Sequence, residues 1–197
     1  MTTSDPCREI TELLARLGRA VDGDGFSAGL NPAQWSALRY LARANRFSRS
    51  TSGFAAYHGT TRGTASQTIK ALIDKGLVRR EPDPMDGRRV MLHLTPAARD
   101  VLERDPSQRL ALAARSMPAP EQVSVLRGLR AIWQMSDAAA DSSFGECALC
   151  RHLSPCREGS GNDYYCEKKR SKLQSHELQS ICVNFDINDL TADSAAR

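Results

Sequence analysis

Apolar residues recur at helical intervals through most of the first 135 positions, broken by one short interval where they alternate. Ile10, Leu13, Leu14, Leu17 and Val21 share one side of a helix that starts with Asp5 as cap and Pro6 at the first helical position. "DGDGFSAGL" interrupts it. A second helix restarts at "NPAQWSALRYLARAN", where Asn31 caps, Gln34 completes a capping box, and Trp35, Leu38, Leu41 and Ala42 form the expected buried stripe. A short helical piece follows at "TSGFAAYH", then a turn at Gly59. The next helix, "TTRGTASQTIKALIDKG", opens on a threonine cap and closes on Gly76.

After Gly76 the period changes. "LVRR" and "VMLHL" read as two short strands, with Val90, Leu92 and Leu94 on one face and Met91 and His93 on the other. They flank the hairpin tip "EPDPMDGRR". Thr95-Pro96 begins a further helix, "PSQRLALAARSM" another, and "EQVSVLRGLRAIWQMSD" a last one with Val125, Leu126, Leu129, Ile132 and Trp133 on its apolar face. The fold class is therefore mainly α with a small β-hairpin (α+β), in the order of a winged helix-turn-helix. The divisions are an N-terminal dimerisation helix (1–30), a winged domain (31–95), C-terminal dimerisation helices (96–138), a linker (139–146), a Cys-rich module (147–185) and a flexible tail (186–197).

Charge sharpens this outline. The chain carries a formal +4, yet residues 31–95 alone hold eleven Lys/Arg against four Asp/Glu. A basic middle third fits a polyanionic partner. With Thr61 as cap, Arg62, Gly63, Ser66, Gln67 and Lys70 share one arc of about 140°, while Ala65, Ile69 and Leu72 face the other way. One face packs and the other reads. Arg and Gln can bind base edges bidentately, Ser and Thr reach bases or phosphates, and Gly63 permits close approach at the positive helix end. Arg88 and Arg89 at the hairpin tip suit a narrow minor groove. Double-stranded DNA is the expected partner.

These residues resemble a known family. "TTRGTASQTIKALIDKGLVRREPDPMDGRRVMLHLTPAARDVL" is similar to the DNA-binding core of the MarR family of bacterial transcription regulators, most specifically at "DGRRVMLHLT". The resemblance spans roughly residues 6 to 138. It implies that Arg88 enters the minor groove, that Asp86 holds its guanidinium, and that Arg62, Thr64, Ser66, Gln67 and Lys70 lie in the recognition helix. It further implies a homodimer, a pseudo-palindromic operator, repression as the commoner outcome, and a small-molecule effector.

Other chemistry is sparse in this region. There is no Gly-rich phosphate loop, nucleophile–base pair or convergent carboxylate set, so no enzyme is expected. The sequence lacks a secretory signal and any apolar run of about 18 residues, which points to a cytoplasmic protein without a membrane partner. Cys7, His58 and His93 read as ordinary helix, surface or strand residues.

The exception is the C-terminal stretch, which holds five of the six cysteines. Cys147 and Cys150 form C-x2-C, and Cys166 and Cys182 follow at 15-residue intervals. Four thiolates supply a tetrahedral zinc site, the expected occupant, or alternatively the corners of a 4Fe-4S iron–sulfur cluster. Cys156 lies in a polar Gly/Ser-rich loop and is left out of the set, and His152 and His176 are substitute zinc ligands. Too few large apolar residues occur here for the module to fold without a staple.

Overall fold

Side-chain caps set where the helices begin. The computed structural model describes residues 5–22, 27–83, 86–136, 144–156 and 164–186. Helix α1 (Pro6–Asp22) starts where Asp5 Oδ1 accepts from the Cys7 N–H at 3.1 Å. Helix α2 (Pro32–Arg43) carries the full Asn31–Gln34 capping box. Helices α3 (Thr51–Tyr57) and α4 (Arg62–Asp74) are capped by the Ser50 and Thr61 hydroxyls, and α5 (Pro96–Leu102) by Thr95. Helices α6 (Ser107–Arg115) and α7 (Ala119–Met135) follow. Gly76 ends α4 in the left-handed region, φ 70°, where a side chain would be strained.

The antiparallel hairpin pairs β1 (Val78–Asp83) with β2 (Asp86–Leu94), with Arg80 opposite Leu92. Its base is packed and its outer part is not. Leu92 is buried and Leu94 partly so, but Val90, expected on the inner face, is 51% exposed because the strands there have extended past the helices.

The main core is made by Trp35, Leu38, Leu41, Phe54, Ile69 and Leu72, all buried. Ala42, expected in this stripe, is exposed. It stands seven residues after Trp35, but the C-terminal end of α2 packs through Tyr40, Leu41 and Ala44 instead. Ala44 forms a backbone bridge with Ile181, so the far end of the helix turns its other side toward the C-terminal module.

That module is built from short strands: β3 (Gly145–Glu146) pairs with β7 (Ile181–Cys182), and β4 (Leu153–Pro155), β5 (Tyr164–Cys166) and β6 (Ser171–Leu173) form a second small sheet. The end of the expected linker thus belongs to the module: Gly145 is in a strand and Phe144 stacks edge-on against Tyr57, 5.1 Å between centroids. The linker's earlier part and the expected tail beyond Asp186 lie outside the described residues. Cys147, Leu173 and Cys182 form a second small core with Phe47, Leu153 and Phe185 around them.

Helices α1 and α7 leave apolar side chains in solvent. Ile10, Leu13 and Leu17 on α1, and Val125, Leu126, Leu129, Ile132 and Trp133 on α7, are each 41–52% exposed. No helix among the described residues is long and apolar enough to cross a membrane.

Candidate nucleic-acid interface and cysteine cavity

Helix α4 divides as its sequence requires. Ala65, Ile69 and Leu72 are fully buried, while Arg62, Gly63, Thr64, Ser66, Gln67 and Lys70 are exposed. Its first turn meets the start of α3 and the strand β2 around an open concavity lined by Ser50, Thr51, Ser52, Arg62, Gly63, Ser66, Arg89 and Val90. Two guanidinium groups and several hydroxyls thus share one accessible surface at a helix N-terminus, a donor-rich arrangement suited to phosphate oxygens and base edges.

The predicted contact residues distribute unevenly over this surface. Arg62, Ser66 and Arg89 line the concavity, whereas Gln67 and Lys70 lie further along the exposed face of α4. Thr64 is occupied locally: its hydroxyl meets the Thr61 hydroxyl at 2.9 Å and its N–H donates to the same oxygen at 3.1 Å. Arg89 is tethered, donating to the Phe47 carbonyl at 3.2 Å and lying 3.8 Å from the Asp83 carboxylate. The side chains of Asp86 and Arg88, and the tip residues Pro84 and Met85, lie outside the described set. Sequence reasoning missed Ser50, Thr51, Ser52 and Val90. The run of three hydroxyl residues ahead of a short helix was the available signal.

The four cysteines of the C-terminal module come together. Cys147, Cys150, Cys166 and Cys182 line one cavity with Asn45, Phe47, His152, Leu153, Leu173 and Asn184, and neither Cys156 nor His176 lines it. None of the six cysteines is in a disulfide. Among the described residues no group of three or more His, Cys, Asp or Glu side chains is arranged to hold one metal ion, so the thiols surround a space without meeting at a point.

Hydrogen bonding sets the sulfurs apart electronically. The Cys147 thiol donates to Cys182, and with the Asn184 N–H at 3.3 Å this favours the Cys182 thiolate and pushes its pKa down. Cys147 is pushed up by that same bond and by burial, and Asn45 Nδ2 reaches its sulfur at 3.5 Å. Burial also raises Cys166. These donors stabilise negative charge on sulfur inside an otherwise apolar wall.

Comparison with known proteins bears on the winged region. Residues 28–89 match the model of the MarR family. A MarR transcriptional regulator from Methanosarcina mazei is 21% identical, with a TM-score of 0.51 over 65% of this chain and 94% of that one. The transcriptional regulator BldR from Sulfolobus solfataricus is 22% identical, with a TM-score of 0.50 over 69% of this chain and 100% of that one. Wild-type MarR from E. coli is 18% identical, with a TM-score of 0.50 over 67% and 98%. No curated protein matches the sequence. At such identities the solved structures establish a shared fold, and together with the family match they show that the chain carries, over residues 28–89, the winged-helix segment of the MarR family.

Proposed function

We propose that this protein is a non-enzymatic transcriptional regulator that reads double-stranded DNA through α4 and the β1–β2 wing. The single observation that carries the reading is the cationic concavity where Arg62, Ser66 and Arg89 meet around the exposed start of α4. Its buried counterpart, Ala65, Ile69 and Leu72, anchors the reading helix rigidly to the core. In this reading Arg62, Ser66, Gln67 and Lys70 face the major groove with Thr64 in the same helix. Arg88, held by Asp86, enters the minor groove beside Arg89.

Selection of bound duplexes from a random pool is the direct test, followed by titration of the selected site at several salt concentrations. Arg62→Ala and Arg88→Ala should each weaken binding by about 1–3 kcal/mol and relax discrimination at the contacted positions. Unchanged affinity for both would remove α4 and the wing from the groove.

The apolar stripes on α1 and α7 support a homodimer. Exposed rows of this kind mark association surfaces, and α1 packs against α6 alongside them. Two-fold symmetry would place the recognition helices about 34 Å apart on successive major grooves, giving a pseudo-palindromic operator. Sedimentation equilibrium at micromolar concentration should therefore return twice the 21.6 kDa chain mass. A monomer would contradict this. Repression and a small-molecule effector complete the reading by analogy with the family.

The four thiols around one cavity add a metal site to the proposal. Its candidates are zinc, the commoner occupant of four-cysteine sites, and an iron–sulfur cluster.

A further inference from the structure

The C-terminal module closes on the turn between α2 and α3. Asn45, 2% exposed, donates its backbone N–H to Ile181 O at 2.9 Å and its side-chain amide to Cys147 Sγ at 3.5 Å. Its Oδ1 accepts from the Ser48 hydroxyl at 2.7 Å, and that hydroxyl accepts from the Val183 N–H at 3.0 Å. The residues on either side of Cys182 therefore both hold this turn. Arg46 adds a tie from the turn's surface, to the Ser171 hydroxyl at 3.0 Å, to the Lys172 carbonyl, and to Glu177 at 3.5 Å.

The same turn continues into the candidate DNA-reading surface. The Arg49 carbonyl accepts from the Leu92 N–H of the wing at 2.8 Å, and the Phe47 carbonyl accepts from Arg89. Ser50 caps α3 and lines the concavity. Residues 45–50 are thus shared between the cysteine cavity on one side and the helix and wing that frame the concavity on the other.

We propose that this cavity binds an iron–sulfur cluster through Cys147, Cys150, Cys166 and Cys182, and that the bound cluster holds the 45–50 turn in its DNA-reading geometry. The proposal rests on the reading of the concavity as a DNA surface. The occupant follows from the shape and chemistry of the cavity. A single zinc draws every sulfur to about 2.3 Å from one point. Here the thiols encircle a space walled by Phe47, Leu153 and Leu173, with N–H groups directed at two of the sulfurs. A cluster spreads its charge over inorganic sulfides, and hydrogen bonds to sulfur in an apolar shell are what stabilise it. Ligation forms four iron–thiolate bonds as the four thiols release their protons, and no electron is gained or lost.

The direction of the coupling follows from how β7 is held. It is a two-residue strand paired only with β3. Joining Cys182 to the other three sulfurs adds a covalent anchor between Ile181 and Val183. Without that anchor the supports of Asn45 and Ser48 rest on short backbone pairing, and the concavity loses preorganisation. The cluster-bound form is the tighter DNA binder.

The full-length protein, incubated anaerobically with ferrous iron and sulfide, with zinc alone, or with neither, provides the test. Readouts are iron, sulfide and zinc per chain, hydrogen exchange across residues 45–50, and affinity for a selected duplex. Iron and sulfide should be bound together, exchange of 45–50 should slow, and DNA affinity should rise about tenfold over the metal-free form. Cys156→Ser should retain the cluster and Cys147→Ser should lose it. Asn45→Ala should retain the cluster but lose the gain in affinity. Zinc uptake with no uptake of iron and sulfide overturns the cluster, and equal DNA affinity with and without it overturns the coupling. If no form binds any duplex, the DNA-reading assignment fails by itself. Unchanged exchange in 45–50 on cluster binding would then overturn the coupling independently.

Discussion

Asp105→Ala should destabilise the protein by about 3 kcal/mol or more, because it strips the partner from a guanidinium that is mostly withdrawn from water. Arg39 meets Asp105 through two bonds, Nε to Oδ2 at 2.8 Å and Nη2 to Oδ1 at 2.7 Å, and Asp105 is 6% exposed. Arg39 also donates to the Val21 carbonyl at 2.8 Å and lies over the Trp35 ring. One side chain thus ties α1 and the start of α6 to α2. Asp105 Oδ1 also accepts from the Ser107 N–H at 2.8 Å, so the same substitution removes a helix-start acceptor where Pro106 offers no side-chain cap. Urea denaturation of Asp105→Ala and Asp105→Asn should rank them in that order of damage, since asparagine keeps an acceptor for Ser107.

The pair also gives the protein a defined acid response. Burial alone would raise the Asp105 pKa, but hydrogen bonds from Arg39 and Ser107 outweigh it and hold the carboxyl below its usual value. Its contribution is therefore complete above the ordinary aspartate range and is lost as pH falls through the depressed folded value. Wild type should lose stability relative to Asp105→Asn over that acidic interval and run parallel to it near neutrality. Parallel curves throughout would show that the pair does not titrate with folding.

Gly53→Ala should be comparably damaging, at about 2–5 kcal/mol, by overpacking and by disturbing a buried hydrogen bond. A Cβ at Gly53 would lie 2.4 Å from the Ser48 carbonyl oxygen and 2.6 Å from the Tyr40 hydroxyl oxygen. Those two atoms bond to each other at 2.7 Å, with the tyrosine donating. The methyl must therefore push against backbone in the 45–50 turn and separate the pair. Beyond a lowered denaturation midpoint, we expect weaker DNA binding at temperatures where the variant remains folded. A Gly53→Ala protein as stable as wild type would mean that α3 slides to accommodate the methyl. Tyr40→Phe, which removes only the hydroxyl, should cost less, about 1–2 kcal/mol.

Much of the winged domain was legible because its signals are local. Asn31, Thr61 and Thr95 cap helices where their spacing to the following residues required, and Gly76 terminates α4 for the reason any glycine does at that position. The division of α4 into a buried and a reading face follows from a 3.6-residue period and was correct at Ala65, Ile69 and Leu72. Periodicity failed where a helix or strand changes neighbours along its length. Ala42 repeats the position of Trp35 but lies beyond the part of α2 that the winged core covers, and Val90 alternates correctly with Leu92 on a strand that has left the body.

The grouping of the cysteines was suggested by spacing alone, but their surroundings were not. Asn45 meets Cys147 across 102 residues and Ser48 meets Val183 across 135. No local period encodes a contact of that kind. Nor did sequence indicate that Arg89 would be tied back to Phe47, or that the hydroxyls of residues 50–52 would join Arg62 in one concavity.

The amino-acid sequence by itself determined the order of helices and hairpin, the polar face of α4 and the set of thiols available to a metal, because capping and amphipathic spacing act within one or two turns of chain. Tertiary structure alone decided that those thiols encircle one cavity and that this cavity is hydrogen-bonded to the turn supporting the DNA-reading surface. Such a connection depends on two distant segments folding against each other, and it exists only once both backbones are in place.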